Sequence, residues 1–138
     1  MAEAIFKQLA ERDGVQNKFE VSSAGTKDWD IGLRPDPRTQ KLLLKHGYSL
    51  DPGKRATMIT RSEIKNADFL NVMSNRIAQE LGYREYVMLL MDYTKNSRGM
   101  NIPDPYPTDS FPHAFQMIQE GVRGFYNQLV IQLEDAED

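Results

Sequence analysis

The residues best suited to chemistry lie in one short stretch, Pro103-Asp104-Pro105-Tyr106-Pro107. Prolines on both sides of Asp104 restrict the backbone, so a carboxyl there is aimed at little entropic cost, which suits a group that hands a proton to a departing atom. An Asp-Pro pair is also an ordinary turn or helix entry, and the five residues alone leave both uses open. A second candidate is Trp29, the only tryptophan, set between Asp28 and Asp30. So large a ring among charges reads as half-buried packing or as the wall of a pocket, packing being the commoner use. The histidines are two, His46 and His113, too few to make a metal site by themselves. These 138 residues contain no cysteine, which excludes disulfides, thiolate zinc sites and a cysteine nucleophile. No Ser or Thr stands in a glycine-rich, phosphate-cradling loop ahead of a helix to take its place.

The elements that must position these residues alternate between helix and strand. Ala2 to Arg12 sets Ile5, Phe6, Leu9 and Ala10 on one helical face, with Asp13-Gly14 as the stop and no capping residue at the start. An uncapped start with a ready apolar face leads us to expect a preceding segment. Lys18-Phe19-Glu20-Val21-Ser22 alternates as a strand, followed by small residues, Ser23 to Thr26, that permit close backbone approach. Asp36 and Pro37 open a helix that ends at His46 before Gly47, and Thr60-Arg61-Ser62-Glu63 is a capping box. Lys54 and Arg55, after the Asp51-Pro52-Gly53 turn, read as solvated loop charges. Phe69 to Met73 and Tyr86 to Met91 are apolar runs of strand length, with a helix between them capped by Ser74 and closed near Leu81-Gly82. Continuous apolar strands separated by helices predict a parallel sheet covered on both faces. After a long loop, Asp92 to Asp109, the residues Phe111, Phe115, Ile118, Val122, Phe125 and Leu129 form an amphipathic helical stripe expected to pack across the sheet. The tail from Glu134 to Asp138 reads as a solvated, frayed end.

At 138 residues one domain is expected. A net charge of −3, without blocks of like charge, argues against nucleic acid as a partner. No apolar run reaches the about 18 residues of a membrane span and no signal-peptide layout opens the chain, so a cytoplasmic, non-membrane location is the default expectation.

The order of elements and several strings together resemble the low molecular weight protein tyrosine phosphatases. Met1-Ala2-Glu3-Ala4-Ile5-Phe6 is similar to the helix that follows that family's phosphate loop. Ser22 to Thr26, Asp36-Pro37-Arg38, Lys45-His46-Gly47-Tyr48 and Asp104-Pro105-Tyr106 resemble later family segments in the same order. The resemblance implies a three-layer α/β sandwich, hydrolysis of a phosphotyrosine protein or small aryl phosphate through a cysteinyl-phosphate, and no cofactor or metal. It makes Asp104 the general acid, and Trp29 and Tyr106 the aromatic walls of the substrate pocket. Two departures are Pro107, where a second aromatic is common, and Ser74-Asn75, where an acid is common.

The family begins with a central strand and a Cys-x5-Arg-Ser loop, neither of which is in this sequence. The resemblance therefore implies a family domain truncated at its N-terminus, with the nucleophile and the phosphate-binding arginine missing. The expectation for these residues is no hydrolysis, with a pseudophosphatase, a phosphotyrosine-binding regulator or half of a split enzyme as alternatives. An exposed sheet edge recruits other strands, so a strand-completing partner or self-association is expected.

Overall fold

The computed structural model of the chain describes residues 1–27, 29–82 and 87–137. Helix α1, Ala2–Arg12, occupies the predicted span, buries Ile5, Phe6, Leu9 and Ala10, and has no side-chain cap at its start. Helix α2, Pro37–Lys45, starts where the Asp36 carboxylate accepts the Arg38 N–H and closes ahead of Gly47, whose φ of +81° favours glycine. Helix α3, Arg61–Asn66, carries both halves of the Thr60–Glu63 capping box. Strand β1, Leu70–Val72, and β2, Val87–Leu89, pair in parallel with Leu70 opposite Val87, and the crossover between them is α4, Asn75–Leu81. Helix α5, Phe111–Glu137, is the longest element and buries every member of the predicted stripe. The architecture is thus an α/β sandwich with a short parallel sheet. Among the described residues, no helix is long and apolar enough to cross a membrane.

Four expectations are corrected. Lys18–Ser22 is not a strand: Gln16–Lys18 forms a 3₁₀ turn, and the backbone then runs on without regular structure. Residues 20–24 make no backbone–backbone hydrogen bond with any described residue. The alternation was real, since Phe19 and Val21 pack on the core while Glu20 and Ser22 face water, but a strand also needs a neighbour. The second apolar run is a strand only over Val87–Leu89; Leu90–Tyr93 tightens into a 3₁₀ turn, and Tyr86 lies outside the described residues. The acidic tail is solvated at Glu134 and Asp135 but helical through Glu137, because α5 carries its hydrogen-bond ladder that far; Asp138 lies outside the described residues. Finally, α5 packs mainly on the 3₁₀ turn at 90–93, on α1 and on α2 rather than across the sheet.

Two glycines explain that last contact. A β-carbon on Gly124 would stand 2.1 Å from the Tyr93 carbonyl oxygen, and one on Gly121 would stand 2.7 Å from Leu90 Cγ. Spaced three apart, they cut one groove in α5 that admits the 90–93 backbone. Around it lies the main core, where Phe6 meets Phe19 at 5.2 Å, Tyr126 at 5.5 Å and Phe125 at 5.8 Å. A separate small cluster, Val72, Val87 and Leu89, is covered by Ile77, Ala78 and Leu81 of α4.

Gly124→Ala should cost about 1–3 kcal/mol by overpacking and should cost more than Gly121→Ala, because a backbone carbonyl cannot swing aside as a leucine side chain can. Urea midpoints of the two variants check the order. The buried Tyr126 hydroxyl donates to Asp13 Oδ2 at 2.6 Å, joining α5 to the end of α1. Burial, and then the bond to the Asp13 carboxylate, push the phenol from 10.0 up to about 12. A raised folded-state pKa gives stability that is complete below pH 10 and is lost as pH rises toward 12. Wild-type stability should fall over that window, and Tyr126→Phe should fall less, as followed by denaturation at stepped alkaline pH.

Candidate active site

A cavity of about 490 Å³ opens where α1 begins. It is lined by Met1 with Glu3 and Ala4 of α1, by residues of the 23–27 turn and the 29–34 loop, and by Arg76, Ile77 and Glu80 of α4. Asp104 and Trp29 both line it. The first helical bond of α1 runs from the Ile5 N–H to the Met1 carbonyl, so the N–H groups of Ala2, Glu3 and Ala4 are left at this end, the positive end of the helix dipole. An anionic group in the cavity would meet those donors.

The loop before Asp104 is fastened at the sheet. The Ile102 N–H donates to the Met73 carbonyl at 2.7 Å, Asn101 Oδ1 accepts the Asn75 N–H at 2.8 Å, and Ile102 is buried. Asp104 follows two residues later, and its Oδ1 accepts the Tyr106 N–H at 3.0 Å. The Asp-Pro turn weighed from the sequence is therefore present, and the same residue lines the cavity. Trp29 is 80% exposed, so packing is not its use. Tyr106, 68% exposed, is not among the residues lining the cavity; its ring lies 5.3 Å from the Arg38 guanidinium carbon. The structure thus brings Asp104 and Trp29 to one cavity and leaves Tyr106 outside its lining, against an arginine.

Lys54 is the clearest correction within the site. Read as a solvated loop charge, it is half-buried and its Nζ lies 2.9 Å from Glu3 Oε1, which also accepts the Ser23 hydroxyl at 3.1 Å. Burial pushes the Glu3 carboxyl up, but Lys54 and then Lys7 outweigh it and hold it below the usual range. Arg34 supports the arrangement by donating from one nitrogen to the carbonyls of Asp51, Pro52 and Lys54. Nothing local in the sequence announces the Glu3–Lys54 pair, whose members stand 51 positions apart. Sequence reading also missed Arg76 and the exposed apolar residues Ile31 and Leu33, which line the same cavity. The 29, 31, 33 alternation was the one available signal for the latter two. Lys54→Met should therefore lower the urea midpoint more than Lys7→Met, since Lys7 is the outer, half-exposed partner of the same carboxylate.

Comparison with known proteins gives a consistent result. A family profile described as low molecular weight phosphotyrosine protein phosphatase matches residues 1–135. The chain is 33% identical over 127 residues to the low molecular weight protein-tyrosine-phosphatase YfkJ of Bacillus subtilis, taking in 88% of this chain and 81% of that protein. It is 34% identical over 114 residues to the low molecular weight phosphotyrosine protein phosphatase of Schizosaccharomyces pombe, taking in 77% of this chain and 71% of that protein. The crystal structure of YfkJ superposes with a TM-score of 0.86 at 29% identity, covering 99% of this chain and 87% of that one.

Proposed function

The chain belongs to the low molecular weight phosphotyrosine protein phosphatase family, and from that premise we propose that its cavity receives the side chain of a phosphotyrosine protein or a small aryl phosphate. The supporting observation is that one cavity is lined at once by the start of α1, by Trp29 and by Asp104. The phosphate sits against the N–H groups of α1, the phenyl ring lies along Trp29, and Asp104 is the acid placed to protonate the departing phenolate. Tyr106, two residues on from Asp104 and outside the lining, is the second aromatic wall by family resemblance alone. Attack on phosphorus needs a nucleophile, and these 138 residues hold no cysteine, so the chain as given binds and does not turn over.

A second reading, half of a split enzyme, is favoured by residues 20–24, which run without a backbone partner among the described residues. An added strand, from a partner or from a second copy, would satisfy them by strand addition.

Trp29 is the only tryptophan, so its emission reads the cavity directly. Titration with phosphotyrosine should change that emission saturably while tyrosine does not, and p-nitrophenyl phosphate should remain at the buffer blank. A flat phosphotyrosine titration would sink the binding proposal. Turnover abolished in Asp104→Ala would sink the claim that the chain cannot act alone.

A further inference from the structure

Arg38 joins α2 to the loop that carries Asp104. Its Nη1 donates to Asp109 Oδ1 at 2.7 Å, while its Nε and Nη2 fork onto both oxygens of Asp36 at 3.1 and 3.0 Å. Asp36 is itself fixed as the α2 cap by accepting the Arg38 N–H at 2.8 Å. The guanidinium carbon lies 4.2 Å from the Phe111 ring centroid and 5.3 Å from that of Tyr106. Asp109 has a φ of +56°, unusual for a residue with a β-carbon, and its carboxylate is the group Arg38 takes.

The Arg38–Asp109 ion pair is exposed, and an exposed pair by itself contributes little. What distinguishes this one is that the guanidinium is already fixed by the bidentate Asp36 contact and stacked on aromatic rings, so little further freedom is lost in engaging the loop. The coupling then passes inward. The Tyr106 ring rests on Arg38, the Tyr106 N–H is bonded to Asp104 Oδ1, and that bond fixes the carboxyl while Oδ2 keeps no hydrogen bond with any described residue.

We propose that Arg38 is a positioning residue that holds the 104–110 loop, and through Tyr106 the Asp104 carboxyl, at the mouth of the cavity. Its relevance to proton donation rests on the function proposed above; the hold itself does not. Amide hydrogen exchange on the whole chain, followed by NMR, tests it. Arg38→Gln should speed exchange at Tyr106, Thr108, Asp109 and Ser110 about tenfold while leaving Val122 in the middle of α5 unchanged. Arg38→Lys should recover part of the protection, since a lysine keeps the charge for Asp109 but loses the planar stack and the fork. Asp109→Asn, which leaves the α2 cap intact, should loosen the same amides, and the double variant should be no looser than Arg38→Gln alone. Unchanged exchange at 106–110 in Arg38→Gln and Asp109→Asn, or full additivity in the double variant, would overturn the proposal. A loosened loop together with a flat phosphotyrosine titration would overturn the functional reading and leave this one standing.

Discussion

An extended backbone presents a row of N–H and C=O groups that something must pair, and in this chain that demand is strongest at residues 20–24. Val21 is turned toward the main core and packs there, which fixes the segment in place from its apolar side. Its backbone, however, pairs with no other described backbone until Gly25 bridges to Met58; what it takes instead is a bond from Lys54 Nζ to the Ser23 carbonyl at 3.5 Å. Burial of apolar area decides where the segment lies, and hydrogen bonding decides whether it is a strand. Here the two come apart: β1 and β2 pair with each other, and neither pairs with this segment. The division of the core into a large helical cluster and a small one beneath α4 goes with the same feature, a sheet of only two strands among the described residues.

With so little sheet, other contacts locate the cavity walls. Glu3 ties the first turn of α1 to Ser23 and Lys54, so three lining segments meet at one largely buried carboxylate. Arg34 holds the 51–54 turn that presents Lys54, and Lys27 approaches Glu80 of α4 at 3.6 Å, both of them lining residues. A carboxylate in the first helical turn is favoured by the dipole, and this one also has cations on it from outside its helix and within it. The Glu3–Lys54 contact thus ties the first turn of α1, with its unpaired N–H groups, to the 51–54 turn.

How much of this was legible follows from the range of each interaction. The α5 stripe, the Asp36 and Thr60 caps, the Ser74 cap and the glycine stops all depend on residues within four positions of one another, and all were readable. The parallel pairing of β1 with β2 was readable because an intervening helix leaves few other topologies. The strand at Lys18–Ser22 misled because alternation reports which side is buried and says nothing about a neighbour. Glu3 with Lys54 and Arg38 with Asp109, 51 and 71 positions apart, have no signature in either partner's surroundings. Asp104 and Trp29 were singled out from residue chemistry and family resemblance, but their meeting at one cavity is a product of the fold.

The two uses weighed for Asp104, turn former and proton donor, do not compete for the same atom, because a carboxylate has two oxygens. Oδ1 accepts the Tyr106 N–H and closes the turn. That bond restricts the carboxyl's rotation, and on the proposed function the turn is then also the means by which the acid is aimed. The same logic explains why a proline-flanked loop needs an outside clamp as well. Prolines fix the backbone locally, but they do not fix the loop as a body relative to the cavity. Ile102 on Met73 fixes its near end, and Arg38 on Tyr106 and Asp109 fixes its far end. Asp104 lies between the two attachments, so its carboxyl is positioned relative to the end of β1 and the start of α2 together, and Thr39 of α2 lines the same cavity.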